Sequence, residues 1–445
     1  MNTPIHDFLR DYAQAGMSRF HMPGHKGKPF LGCETLDITE VAGADALYEA
    51  DGIIAESEAS ASRLFGSGRT LYSTEGSSQC IRAMLYLALT SRPAGASNTV
   101  VAARNVHRAF VYAAALLDLN VVWLWPEGDS ASICGCPVSP GSLERTLSEL
   151  DAPPAAVYLT SPDYLGGTAD IAALAAVCRR HNTVLAVDNA HGAYLHFLSP
   201  PAHPLDLGAA ICCDSAHKTL PVLTGGAYLH IGRSAPAGFG ASAKTAMALF
   251  GSTSPSYLTL ASLDLCNRYL AEGYPDRLSR AAGELDRLRG RLASNGWQVL
   301  ATDPLRLTLR APEGLTGHAL AERLRRGGVE CEYADRDFLV LMATPENRPE
   351  DLVRIETALG KSRAPLAEPP SLPLAQGEQA CSIREALFAP HEAVPADRAL
   401  GRICGAPTVA CPPAIPIAVS GERIGMEALA LFRYYGVGSV DVLKD

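Results

Sequence analysis

Short apolar runs alternate with helix-compatible stretches through the middle of this chain, and that alternation constrains the fold more than any other feature. Residues 99–103, 120–124, 155–159, 183–187, 209–213 and 226–230 each read as a strand that is apolar on both faces. Helical patterns separate several of them, most plainly over 108–119 and 171–180, with 81–89 and 51–65 upstream. Strands buried on both faces and alternating with helices predict an α/β fold built on a mostly parallel sheet with helices on either side.

Composition sets the outer limits. The chain has 445 residues, a length that suggests about three domains of ~150 residues. Charged residues make up 19%, below the ~25% of an average soluble domain, which points to a large interior or a covered interface. The net charge is −9 with no long basic run, so no nucleic-acid partner is expected. No stretch approaches the ~20 apolar residues of a membrane helix, and residues 1–10 carry no secretory signal pattern. Twelve cysteines are scattered without paired C-x-x-C knuckles, which favours a reduced, cytoplasmic protein. His21 and His25 have H-x-x-x-H spacing, but Pro23-Gly24 between them breaks the helical face a zinc site needs, so no metal is expected. Domain boundaries are expected at 1–270 (an N-terminal arm and a large domain), 271–363 (a smaller α+β domain) and 364–445 (a Pro-rich linker and a short C-terminal segment).

The polar residues gather at one kind of place. His107, Ser161, Asp188, Ser215, His217 and Lys218 all fall at or just beyond the carboxyl ends of expected strands, the edge where open α/β sheets bind ligands. Lys218 follows a buried strand. In a dry site its amine can lose charge and become nucleophilic, as a Schiff-base lysine must, although a lysine in an ordinary turn has the same local pattern. Gly76-Ser77-Ser78 opens an apolar helix, an arrangement suited to an anion and equally to a plain helix cap. Asp188 ends a strand, where it either caps the next turn or keeps a proton on a heterocyclic nitrogen. His107 opens a helix as a cap or as a flat surface for stacking.

Taken in order, these segments resemble the ornithine/lysine/arginine decarboxylase family. The likeness rests on Phe20-His21-Met22-Pro23-Gly24-His25-Lys26-Gly27, Gly76-Ser77-Ser78, Arg104-Asn105-Val106-His107 and Thr160-Ser161-Pro162. It continues through Val187-Asp188-Asn189-Ala190-His191-Gly192, Ser215-Ala216-His217-Lys218-Thr219-Leu220 and Ser252-Thr253-Ser254-Pro255. Cys411-Pro412-Pro413-Ala414-Ile415-Pro416 is a looser match near the C-terminus. The resemblance implies the short form of the family, with a fold-type I (aspartate aminotransferase-like) large domain and pyridoxal phosphate as cofactor. It assigns Lys218 to the Schiff base and to proton handling, Asp188 to the pyridine nitrogen, and His107 to ring stacking. Ser77, Ser78, Ser215 and His217 would hold the phosphate. Ser252 and Thr253 would reach the phosphate of a neighbouring subunit in a homodimer or larger homo-oligomer. The implied reaction is decarboxylation of a basic amino acid (arginine, lysine or ornithine) to agmatine or a diamine, by way of an external aldimine and a quinonoid.

Several positions depart from the family pattern. Asn189 replaces an acid, Ala216 a small hydroxyl and Glu75 an asparagine, while Ala414 and Ser420 replace a glycine and a proline. None removes an implied cofactor contact. Asp45 and Glu422 are candidates for a substrate's distal cation, or else capping or solvated acids. The same cofactor residues would also serve an aminotransferase or another lyase, and a catalytically silent regulatory homologue would share the fold.

Overall fold

The computed structural model describes residues 1–127, 131–368, 371–410 and 414–444. Cys411, Pro412 and Pro413 of the C-terminal motif lie outside the described residues, as do Pro369 and Pro370 of the linker. Seven short strands carry the α/β part: β1 (Arg69–Ser73), β2 (Thr99–Ala103), β3 (Asn120–Leu124), β4 (Ala156–Thr160), β5 (Leu185–Asp188), β6 (Ile211–Asp214) and β7 (Ala227–Ile231). The chain divides into two compact units, one of Met1–Gly95 with Ile171–Arg277 and one of Ala96–Asp170 with Leu278–Asp445.

In the first unit the strand order is β1-β7-β6-β5. β5 and β6 are parallel, whereas β7 runs antiparallel to both β6 and β1. The strand expected at 226–230 is therefore present but does not continue the parallel pattern. The connection from β6 holds only one four-residue helical turn, not the full helix that usually carries a parallel crossover. Helices Ile53–Leu64, Ser77–Thr90, Ile171–Arg180, Ala237–Ala248 and Tyr257–Ala271 belong to this unit. Ile54, Leu71, Leu85, Val187, Ile211, Leu229 and Leu260 are buried in its core. A helix that periodicity did not reveal, Pro4–Gln14, is tied down by Asp264, which accepts hydrogen bonds from the Ile5 and His6 amides at 2.9 and 3.0 Å. Those amides are among the first of the helix, the ones without partners inside it.

In the second unit β4, β2 and β3 lie side by side and parallel. A separate antiparallel sheet has the order β10-β11-β9-β8, from β8 (Gln298–Val299), β9 (Arg306–Arg310), β10 (Tyr333–Ala334) and β11 (Phe338–Met342). Leu288, Leu307, Leu309, Leu320, Leu339 and Ile355 form its core with helices Gly317–Arg326 and Pro349–Leu359. The strand β8 is only two residues long. Trp297 closes the preceding helix through its amide to the Leu292 carbonyl, and its indole N–H donates to the Gly360 carbonyl at 2.9 Å. Towards the C-terminus, β12 (His391–Pro395) pairs with β15 (Ser439–Leu443), and β13 (Thr408–Ala410) with β14 (Ile415–Ala418). Helix Met426–Tyr434 packs there through Leu429, Leu431 and Phe432. No helix among the described residues is long and apolar enough to cross a membrane.

Candidate active site

The site grows from the carboxyl end of β6. After Asp214 the chain leaves the strand at Ser215 and makes one helical turn, Ala216–Thr219, which presents Lys218. The Lys218 Nζ lies 2.8 Å from Nε2 of His191, a buried imidazole in the turn that follows β5. An amine held against an imidazole nitrogen has a neighbour that accepts its hydrogen without adding a negative charge to fix the ammonium form. His191 carried no role in the reading of the sequence. The available signal was its place three residues after Asp188, in the turn at the same sheet edge.

Ser215, three residues before the lysine, donates its hydroxyl hydrogen to Ser77 Oγ at 2.8 Å. Ser77 is the first residue of helix Ser77–Thr90, and the cap position is Gly76, which has no side chain to offer. The plain capping role for Ser77 or Ser78 is therefore not what the structure shows. A helix end without a side-chain cap presents its first amides and the positive end of its dipole to an anion. The loops around it are drawn tight. The Gly76 amide donates to the Gly225 carbonyl at 2.7 Å, and Gly225 has φ +96 with the Thr74 carbonyl oxygen 2.8 Å from where a Cβ would stand. Only glycine meets both conditions. His217 donates its backbone N–H to the Gly226 carbonyl at 3.1 Å, and its Nδ1 lies 3.0 Å from the same oxygen. Nδ1 must carry the hydrogen of that contact, so Nε2 donates a hydrogen only as the imidazolium.

Asp188 ends β5 with 2% of its surface exposed. Its Oδ1 accepts from the Ala190 amide at 3.2 Å and from the Cys213 thiol at 3.6 Å. A sealed carboxylate at a strand end matches what a protonated heterocyclic nitrogen needs beside it. Ser78 is half-buried in the first turn of the helix. Ser252 and Thr253 are exposed, and the Ser252 amide donates to Glu75 Oε1 at 2.7 Å.

His107 and Ser161 stand in the second unit, each just past a strand of the parallel group. His107 is the N-cap of helix Arg108–Leu117, its Nδ1 accepting from the Ala109 amide at 3.2 Å. Ser161 Oγ accepts from the Ala169 amide at 3.1 Å. The two acids considered for a substrate's distal charge have structural partners. Asp45 accepts from the amides of Ala46, Asp51, Gly52, Ile54 and Ala55, which hold its carboxyl below the usual range although burial opposes them. Glu422 is buried and ion-paired to Arg104 at 3.2 Å. Ala414, at a position where the family carries glycine, has φ +61, the region that favours glycine.

The donor set of the first unit suits pyridoxal phosphate. It offers an amine beside an imidazole, an anion-ready helix end bonded to the lysine turn, and a sealed carboxylate. Comparison with known proteins then decides the family. The description "Orn/Lys/Arg decarboxylase, major domain" matches residues 3–299. The chain belongs to the Orn/Lys/Arg decarboxylase family. That places it among the pyridoxal-phosphate-dependent amino-acid decarboxylases. This family member is 30% identical to the uncharacterized protein YaaO of Bacillus subtilis, over 96% of this chain and 93% of that one. It is 27% identical to an arginine decarboxylase of the same organism, over 96% and 92%. Among solved structures, the Francisella novicida lysine decarboxylase LdcF superposes with a TM-score of 0.83 at 16% identity, covering 99% of this chain and 81% of that one. The architecture is thus the fold-type I arrangement expected from the sequence.

Proposed function

We propose that this decarboxylase acts on a basic amino acid (arginine, lysine or ornithine) and yields agmatine or a diamine, with pyridoxal phosphate carried on Lys218. The observation that carries the reading is the Ser215–Ser77 bond. It ties the turn that presents the lysine to a helix end that has no side-chain cap and is suited to an anion. The basic substrate is supported by the relatives named as arginine decarboxylases.

The cofactor, when bound, supplies an electron sink for the pair left behind by departing CO₂. The chain's own residues do the rest. Lys218 anchors the group and moves a proton at the substrate α-carbon. His191, 2.8 Å from its Nζ, orients the amine. Asp188 keeps the proton on the pyridine nitrogen. Ser77, Ser78, Ser215 and His217 hold the phosphate. His107 serves as the stacking ring, a role compatible with capping its helix through Nδ1. The exposed Ser252 and Thr253 serve the neighbouring subunit of a homodimer. Phe20, Phe30 and Leu31 support that assembly, being 97%, 79% and 91% exposed on the N-terminal arm of this chain. A cytoplasmic location belongs to the same proposal.

The test is an amino-acid panel on purified protein with CO₂ and amine measured together. Equal CO₂ and amine from one of the three basic amino acids, lost in Lys218→Ala, is the expected result. Keto acid without CO₂ would mean transamination and overturn the proposal.

A further inference from the structure

One residue before Ser215 lies a second sealed carboxylate that none of the chemistry above uses. Asp214, the last residue of β6, is 0% exposed. Three donors converge on it. Asn189 Nδ2 lies 2.6 Å from Oδ1, while His203 Nε2 and His230 Nε2 lie 3.1 and 3.2 Å from Oδ2. The strands explain the gathering. Thr70, His230 and Cys212 are lateral neighbours on β1, β7 and β6, and Asp214 shares the sheet face of Cys212 two residues on.

The hydrogens can be traced. The Leu205 amide donates to His203 Nδ1 at 3.4 Å, so the ring's own hydrogen sits on Nε2 and points to Asp214. Ser67 to Thr70 to His230 forms a second line, each step 2.8 Å, with His230 Nε2 again the donor to the carboxylate. Burial pushes the His230 imidazole below its usual value, opposed by the facing Asp214 carboxylate. Burial opposes the charge on Asp214 as well, but the two imidazoles outweigh it and hold the carboxyl far below the usual range. The same three side chains have the composition of a two-histidine, one-carboxylate metal site, and their ligand atoms lie within 4.8 Å of one another. The Leu205 amide argues against that use, because it leaves the hydrogen of His203 on the nitrogen a cation would need.

The partner of interest is Asn189. It follows Asp188 directly, its amide donates to the Cys213 carbonyl at 3.0 Å, and it is 0% exposed. The turn leaves it no slack, since a Cβ on Gly192 would fall 2.1 Å from Asn189 Oδ1. We propose that Asp214 is a positioning residue for the lysine site: through Asn189, its carboxylate locks the turn bearing Asp188 and His191 against the turn bearing Ser215 and Lys218. This rests on the reading of Lys218 as the cofactor lysine. The lock also explains an amide at 189, because an acid there would set two buried carboxylates against each other.

The experiment compares wild type, Asn189→Asp, Asp214→Asn and the double variant, each as purified holoprotein. The readouts are pyridoxal phosphate affinity and the visible circular dichroism of the bound chromophore, with melting temperature recorded beside them. Each single variant is expected to weaken cofactor binding on the order of tenfold or more and to alter the dichroism. The double variant, in which an amide at 214 donates to a carboxylate at 189, is expected to recover both. Singles that lose melting temperature but keep wild-type affinity and dichroism would make the network merely structural and overturn the proposal, as would a double variant no better than the worse single. If a single variant does not fold, Asn189→Ala removes the donor without adding charge, and unchanged binding in that protein overturns the proposal equally. A wild type that takes up no pyridoxal phosphate overturns the lysine reading and this one with it. A wild type that binds while the singles behave like it overturns this one alone.

Discussion

Asp214 and Glu422 are both carboxylates sealed from water, one in each compact unit, and they are held in opposite ways. Asp214 has no guanidinium or ammonium among its bonded partners. An amide and two imidazoles converge on it, and the imidazoles hold its carboxyl below the usual range against the cost of burial. Glu422 depends on a single cation, Arg104, at 3.2 Å, with the Val419 amide at 2.8 Å as a second donor. Burial still wins there and raises its pKa. Arg104 itself is divided among several tasks. It donates to the Pro416 and Ile417 carbonyls and lies over the rings of Trp123 and Trp125 at 5.1 and 5.3 Å. Two imidazoles converging on one carboxylate outweigh its burial and hold its pKa down, whereas one shared cation leaves burial to raise the pKa.

The sharpest way to break this contrast is to remove the cation. Arg104→Met strands Glu422 and is expected to cost about 3–5 kcal/mol in chemical denaturation. Adding Glu422→Gln should return most of it, and a double variant as unstable as the single would mean that the stacking and carbonyl bonds of Arg104 matter more than the pair. On the other side, His203→Ala takes one of three donors from Asp214. The expected loss is about 1–3 kcal/mol, smaller because two donors remain.

The smallest expected effect is in the pH dependence. Glu422 has a raised folded pKa, so the native state binds more protons above the ordinary glutamate value of about 4.3, and the burden of its charge lessens as pH falls from 7 towards that value. Asp214 has a depressed folded pKa. Its contribution is complete above the ordinary aspartate value of about 3.9 and is lost only below it. The stability difference between wild type and Glu422→Gln should therefore change as pH falls from 7 towards 5. A difference that stays constant over that range would contradict the raised pKa of Glu422.

The two units were not equally legible. Helix 171–180 and strand 120–124 have the boundaries their apolar patterns predict, because burial on a regular element leaves a regular trace. The placement of Asp188, Ser215 and Lys218 at strand ends was readable for the same reason. The antiparallel turn of β7 was not, since an apolar run does not state its direction. The Lys218–His191 contact and the Asp214 network were hidden too. Their partners lie 27, 25, 11 and 16 residues apart, and a lone histidine gives no sign of which carboxylate it meets. Helix Pro4–Gln14 depends on Asp264, more than 250 residues away, and no local pattern announces that. Asp45 and Glu422 illustrate the converse. Each acid suggested a ligand, and each proved to be occupied by the chain's own amides or by Arg104.

One measurement bears most directly on Lys218. Holoprotein reduced with borohydride fixes pyridoxal phosphate to the residue that carries it, and peptide mass mapping then reads the position. A single phosphopyridoxyl group on the peptide containing Lys218, absent in Lys218→Ala, is the expected result. A modified lysine elsewhere, or a wild type that remains unlabelled after incubation with the cofactor, would contradict the central claim.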